Sequence, residues 1–425
     1  MKDHDQIPQS NQHLDSLFRE FGFSKLTEIQ KKASPIILQK KDCLVIAPTG
    51  SGKTECSVIP IFSLVKNVKK TGKIKTLYIT PLRALNRDVF RRITKYAHEN
   101  QLTLEIRHGD TSQKDRKKIT ENPPDILITT PETLVILLTQ VKMLTALTDL
   151  EWIVIDEVHE LLSSERGSQL SLSIERLELN SKYPLTKIGL SATVGNFEEA
   201  GKFVVGTKRK CEIIRDTSVR KYDVEVKYVD GTISDVAQKI IDHVMEFELD
   251  SPILLFTNTR GEAEFLASIL KEKSSIPIEL HHGSLSKQVR EETELTLREG
   301  KRGIVVCTSS LELGLDIGSI ELVIHYGSPR QVSKFVQRIG RSRHNRDASA
   351  QGLIITNNSD DEFETRAILD RIQEGSIEEQ TIHEGSLDVL AHHLVGLSMQ
   401  IGEISVEQAF DLVIKAYPFR NLKIE

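Results

Sequence analysis

Twice along this chain, short β-branched runs alternate with helix-length amphipathic stretches, a rhythm that leaves few folds open. Strand-length runs fall at Cys43 to Ala47, Thr76 to Thr80, Ile126 to Thr129, Trp152 to Asp156 and Lys187 to Ser191. Helix-length segments such as Lys53 to Val68 and Leu82 to His98 lie between them. A polar stretch, Arg215 to Lys221, breaks the pattern. It restarts at Tyr222 to Val229 and runs through Ile253 to Phe256, Gly303 to Cys307, Leu322 to His325 and Gly352 to Ile355. The fold class is therefore α/β, with two tandem parallel-sheet domains and a cleft between two lobes. Ligands of such sheets bind beyond the carboxyl ends of the strands.

After about Gln380 the strands stop. Ser386 to Ile401 and Ser405 to Ala416 read as helices, the second opening on a Ser405/Gln408 capping box. Their apolar stripes are Leu387, Leu390, Leu394 and Leu397, then Val406, Phe410, Val413 and Ile414. Each stripe needs a partner. The expected division is 1–217, 218–379 and 380–425, the last being an incomplete domain.

Bulk properties exclude little. At 425 residues the chain exceeds one ordinary core. No apolar run reaches the ~18 residues of a membrane span, and the polar N-terminus has no signal-peptide core. A cytoplasmic protein is expected, with no membrane partner. The four cysteines have no metal-ligand spacing and read as free thiols in a reducing compartment. A net charge of −5 argues against a simple basic nucleic-acid binder. It leaves room for a basic groove on an acidic body.

The motifs are more specific. APTGSGKT, Ala47 to Thr54, follows a strand and opens a helix, the context of a phosphate loop. Thr49, Gly50, Ser51 and Gly52 would wrap phosphates with backbone N–H groups at a helix N-terminus. Lys53 would hold the β- and γ-phosphates of ATP, and Thr54 a Mg²⁺ ion. Ala47 stands where the strict pattern has glycine. DEVH, Asp156 to His159, ends the strand WIVI. Asp156 is placed to hold Mg²⁺, and Glu157 to orient and deprotonate the attacking water. SAT, Ser191 to Thr193, follows another strand of this repeat. In the second repeat, QRIGRSRH spans Gln337 to His344, with Arg338 and Arg341 three residues apart. They read as arginine fingers to the γ-phosphate or as a solvated basic patch.

In series, these motifs resemble superfamily 2 helicases, which build two RecA-like lobes. FGFSKLTEIQ, Phe21 to Gln30, looks like the adenine-reading Q motif, with Gln30 as base contact and Phe21 beside it. TPLRAL (Thr80 to Leu85) resembles motif Ia, TTPE (Thr129 to Glu132) motif Ib, FTNTR (Phe256 to Arg260) motif IV, and TSSLELGLDIG (Thr308 to Gly318) motif V. The nearest likeness is to the Lhr (large helicase-related) family. It is carried by RHGDT (Arg107 to Thr111), DEVHEL (Asp156 to Leu161), SSLELGLDIG (Ser309 to Gly318) and SPRQVSKFVQRIGRS (Ser328 to Ser342). SLDVLAHHLVGL (Ser386 to Leu397) and AYPFRNL (Ala416 to Leu422) look like the start of that family's winged-helix domain.

The resemblance implies an ATP-dependent, 3′-to-5′ helicase on single-stranded DNA that unwinds DNA or RNA:DNA duplexes in DNA repair. It implies catalytic roles for Lys53, Asp156, Glu157, Gln337, Arg338 and Arg341, and nucleotide contacts from Gly314 and Asp316. Nucleic-acid contacts would come from Pro81, Arg83, Thr129, Thr130, Thr259, Arg260, His282, Gly283 and Thr308. Ser191 and Thr193 would couple the domains. Arg83 and Arg260 also read as helix-start surface charges, and Thr130 as an N-cap before Pro131. Arg343 departs from the family's QRxGRxGH, where glycine stands. The competing readings are an RNA-remodelling ATPase of the same superfamily and a non-catalytic nucleic-acid scaffold. A monomer is expected, with repair or RNA-processing proteins as partners.

Overall fold

Strands buried on both faces need helices on both sides, and the first repeat supplies them. The computed structural model describes residues 11–48, 50–68, 70–192, 194–216, 221–246, 251–312, 318–342 and 349–424, apart from the side chains of Asn11, Arg83 and Ala84. Thr49, Thr193, Gly314, Asp316 and Arg343 lie outside the described residues. Seven strands form a parallel sheet: β1 (Cys43–Ile46), β2 (Thr76–Ile79), β3 (Leu104–Arg107), β4 (Ile126–Thr129), β5 (Trp152–Ile155), β6 (Thr186–Ser191) and β7 (Glu212–Arg215), in the order β3-β4-β2-β5-β6-β1-β7. β2, β4, β5 and β6 are buried along their whole length. Apolar clusters pack against both faces.

The second repeat gives six parallel strands: β8 (Tyr222–Tyr228), β9 (Pro252–Phe256), β10 (Ile278–His281), β11 (Gly303–Cys307), β12 (Val323–Tyr326) and β13 (Ala350–Thr356). Their order is β10-β11-β9-β12-β13-β8. Sheet and helices enclose a separate core.

Residues 379–425 do not stand apart by contacts among the described residues. They join residues 1–217 in one compact unit, and 218–378 make the other. Arg176, on the helix Glu165–Asn180, is the anchor. It is 1% exposed and, among the described residues, forms no ion pair with a carboxylate. Its guanidinium instead donates to Gln400 Oε1 at 3.0 Å, Gly396 O at 2.9 Å and Leu138 O at 3.2 Å. A Cβ at Gly396 would lie 2.8 Å from Arg176 Nη1, so the close approach needs glycine. Tyr417 donates to the Glu199 carboxylate at 2.6 Å, with the Arg420 guanidinium 3.9 Å over its ring. The Ser405/Gln408 capping box forms.

The expected stripe on Leu387–Ile401 is rotated. The buried residues are Val389, His393, Gly396 and Leu397, whereas Leu387 and Leu394 are exposed. The helix turns toward Arg176 because a buried guanidinium needs acceptors more than the helix needs every leucine covered.

His393 pays for that arrangement. Burial, and next the Arg176 charge, push its pKa down to about 3, so it is neutral in the folded protein. The unfolded chain takes up a proton below about pH 6.5 that the folded chain refuses. Stability is therefore full above that pH and falls as the medium acidifies toward pH 3. Between pH 7.5 and 5, this group alone should remove ~2 kcal/mol. Urea-unfolding free energies should show that extra loss in wild type and not in His393→Asn. Equal losses in both would exclude it.

Candidate active site

Sheet order brings the first set of motifs together. β1, β6 and β5 are consecutive neighbours, so the loops leaving their carboxyl ends are adjacent. These loops carry APTGSGKT, SAT and DEVH. The Ala47 N–H donates to Ser191 O at 3.0 Å, stitching the phosphate loop to β6. Gly52 has φ +87° and N-caps the helix Lys53–Val65 without a side-chain cap. The first-turn N–H groups are thus left for an anion. The Lys53 ammonium donates to Ala47 O at 2.7 Å, folded over its own loop.

Gln30 and Thr27 brace this loop from outside. Thr27 Oγ1 donates to Ser51 O at 2.9 Å, and Gln30 Nε2 to Gly52 O at 3.5 Å. Gln30 Oε1 accepts from the Thr27 N–H at 2.9 Å. A Cβ at Gly52 would sit 2.4 Å from Gln30 Nε2, so Gln30 is in the loop's immediate wall. Phe21 is not. It is buried in the core, edge-on to Tyr96 with centroids 6.1 Å apart. Its apolar ring packs among the N-terminal helices.

The acidic pair is enclosed. Asp156 Oδ2 accepts from Tyr78 Oη at 2.7 Å, and Oδ1 from the Glu157 N–H at 2.9 Å. Burial, then the Glu157 charge, raise the Asp156 pKa to about 6. Tyr78, on β2, thus ties the strand beside β5 to Asp156, one of the two expected metal-holding residues. It was not legible as a site residue, although a tyrosine in an aliphatic buried strand implies a partner for its hydroxyl. Glu157 adopts φ +48°, a backbone costing ~1–3 kcal/mol outside glycine. Its Oε2 is buried and accepts no hydrogen bond among the described residues. His159 Nδ1 lies 3.6 Å from that oxygen and 3.0 Å from Ser191 Oγ. Burial, then the Lys53 charge, lower the His159 pKa to about 3. A neutral imidazole thus joins DEVH to SAT, and no cation quenches Glu157 from that side.

On the other flank of β5, β2 and β4 are neighbours and carry TPLRAL and TTPE. Thr130 caps the helix Pro131–Leu137, accepting from the Thr133 N–H at 3.4 Å. Thr129 is fully buried, its hydroxyl donating to Arg107 O at 2.8 Å. Pro81 is buried and offers its carbonyl to Arg166.

In the second unit, Gln337 and Arg338 end the helix Val332–Ile339, and Arg341 follows its Gly340 cap. All three are buried. The arginines are bonded within their own unit rather than forming a solvated patch. Arg338 reaches Glu312 Oε2 at 3.4 Å, Asn258 Oδ1 at 3.3 Å and His325 Nε2. Arg341 Nη2 donates to Glu312 O at 3.0 Å. His325 Nδ1 lies 2.9 Å from Gly327 O. A carbonyl only accepts, so Nδ1 holds the proton and Nε2 accepts from Arg338. Burial, then the Arg338 charge, hold the His325 pKa well below its ordinary value. A missing N-cap side chain on this helix is replaced by Glu378, whose carboxylate accepts the Val332 and Ser333 N–H groups at 2.6 and 3.2 Å.

The expected nucleic-acid residues of this unit divide by exposure. Thr259, which caps the helix Arg260–Lys273 in a full capping box, is exposed, as are Arg260 and Gly283. A Cβ on Gly283 would lie 3.8 Å from Arg260 Nη2, so those two adjoin. His282 and Thr308 are buried, His282 Nε2 lying 3.1 Å from Glu264.

Known proteins agree with this layout. Residues 27–200 match the DEAD/DEAH box helicase family, and residues 234–345 the helicase conserved C-terminal domain. The ATP-dependent helicase Lhr-Core protein 2 of Thermococcus barophilus is 37% identical over 435 residues, covering 95% of this chain and 50% of that protein. The ATP-dependent helicase Lhr-Core of Methanocaldococcus jannaschii is 36% identical over 424 residues, covering 94% and 50%. The structure of Mycobacterium smegmatis helicase Lhr bound to ssDNA and AMP-PNP superposes with a TM-score of 0.87 at 32% identity, over 98% of this chain and 56% of that one. Fold and site together define a helicase-type ATPase core of two RecA-like domains. The chain spans about half the length of the curated relatives it matches. It belongs to the Lhr family of superfamily 2 helicases.

Proposed function

We propose that this chain hydrolyses ATP to move 3′-to-5′ along single-stranded DNA and to separate DNA or RNA:DNA duplexes, in DNA repair. One observation carries the ATPase reading: the uncapped helix start at Lys53 and the buried carboxylate of Glu157 lie at the carboxyl ends of β1 and β5, the two strands that flank β6 in one sheet. A polyphosphate suits the first, and an attacking water the second. Lys53 would leave Ala47 O for the phosphates. Gln30 and Thr27 hold the loop that wraps them. Thr54 and Asp156 fit Mg²⁺, which keeps most of its ligands from water and phosphate. When bound, the ion neutralises phosphate charge. Gln337, Arg338 and Arg341 would stabilise charge on the transferring phosphoryl group.

The ssDNA-bound Mycobacterium smegmatis relative supports single-stranded DNA as the track. The exposed Arg260 beside Gly283 supports a backbone grip on the second unit, by mostly sequence-independent electrostatics. No helix among the described residues is long and apolar enough to cross a membrane, and the free, mostly buried thiols fit a reducing cytoplasm. Strand separation on 3′-tailed DNA, 5′-tailed DNA and RNA:DNA hybrids tests direction and substrate. ATPase stimulation by single-stranded DNA against RNA of equal length accompanies it. The 3′-tailed substrates should open and DNA should stimulate more. Stimulation by RNA alone would move the assignment to an RNA-remodelling ATPase.

A further inference from the structure

Beyond β2 and β4 the sheet stops holding its own loops together. Ile79 pairs with Thr129, and one more ladder bond runs from the Thr80 N–H to Thr129 O at 3.1 Å. The chain then continues with Pro81 on one side and, after Thr130, Pro131 on the other. Proline has no N–H, so the ladder ends where the two loops begin. Arg166 takes over. It lies in the first turn of the helix Glu165–Asn180, whose start Ser164 caps through the Gly167 N–H at 3.3 Å. Arg166 Nη2 donates to Pro81 O, and Nε to the Glu132 carboxylate. One planar fork bonds both loops, which a lysine ammonium on its flexible stem does less well.

We propose that Arg166 is a positioning residue for nucleic-acid binding: by cross-linking the Pro81 loop to Glu132 it sets the spacing at which these loops meet the phosphate backbone. This rests on the reading of TPLRAL and TTPE as backbone contacts. Phosphates along a strand are regularly spaced, so two loops held at the wrong separation can engage only one at a time. Arg166 also neutralises Glu132, a carboxylate that would otherwise face a polyanion.

The test uses the full chain and an oligothymidylate, reading the concentration that half-stimulates ATP turnover and its dependence on salt. Arg166→Ala should raise that concentration roughly tenfold, and Arg166→Lys should recover only part. Glu132→Gln should raise it too, and the double variant should be no worse than the worse single one. Additive effects, or an unchanged half-stimulating concentration in Arg166→Ala, would overturn the proposal. So would a salt slope reduced by ~1, which marks a direct phosphate contact. Thr130→Asp separates the two levels. Aspartate keeps the N-cap and adds a negative charge, so it should weaken stimulation wherever these loops meet phosphates. If it does so and Arg166→Ala does not, the clamp alone fails. If it has no effect, the nucleic-acid reading of the loops fails, and the clamp proposal with it.

Discussion

Glu157→Gln lowers ATP turnover by ~10²–10⁴-fold, the range for loss of a positioned general base, while nucleotide stays bound. The substitution keeps the side chain's shape and removes its ability to take a proton. Two features make the change clean. Glu157 Oε2 is buried and accepts no hydrogen bond among the described residues, so the amide breaks no existing bond there. The Glu157 charge is also the second cause, after burial, of the raised Asp156 pKa near 6. Removing it lets Asp156 ionise more readily, so lost activity cannot be ascribed to a protonated Asp156. A buried carboxylate becomes a neutral amide of the same shape, so thermal stability should hold. The variant should accumulate with ATP and nucleic acid bound together. Single-turnover hydrolysis and nucleotide-binding titrations check this. Wild-type turnover, or lost nucleotide affinity, would sink the base assignment.

How much of this was legible in the sequence depended on where each element sits. The ten strands read from apolar runs are mostly interior ones, whose burial makes them uniformly aliphatic. Three were missed, β3 (LEIR), β7 (EIIR) and β10 (IELH), and each lies at a sheet edge. An edge strand four residues long with charged side chains has no pattern that separates it from a loop. The phosphate loop and DEVH were legible because their chemistry depends on contiguous residues. Arg166 and Tyr78 were not, because each acts on partners 30 to 90 residues away or so in sequence, brought near only by strand order. The helix Leu387–Ile401 erred for a related reason. Its leucines made the more apolar stripe, but Arg176, over 200 residues earlier, selected the face with His393 and Gly396.

Arg338→Ala and Arg341→Ala should fail in different ways, although the sequence presents the two as equivalents. Both converge on Glu312. Arg338 meets its carboxylate at 3.4 Å, and Arg341 meets its backbone carbonyl at 3.0 Å. Glu312 and Arg338 are both buried. Removing Arg338 leaves a carboxylate without its cation and strips His325 Nε2 and Asn258 Oδ1 of a donor. Breaking a buried pair from one side costs ~3–5 kcal/mol. Arg338→Ala should therefore loosen the second unit before it informs on catalysis. Hydrogen exchange along β9, β11 and β12 should accelerate by roughly 10²–10⁴-fold. Arg341→Ala leaves the Arg338–Glu312 pair in place and takes a donor from the uncharged Glu312 carbonyl. Its larger effect should fall on turnover, by ~10³-fold or more as for other arginine fingers, with nucleotide affinity nearly unchanged. A variant that binds nucleotide poorly but turns over normally when saturated would place Arg341 in ground-state binding. Equal acceleration of exchange in both variants would show that Glu312 is held by the pair of arginines jointly, and that neither can be assigned to chemistry alone.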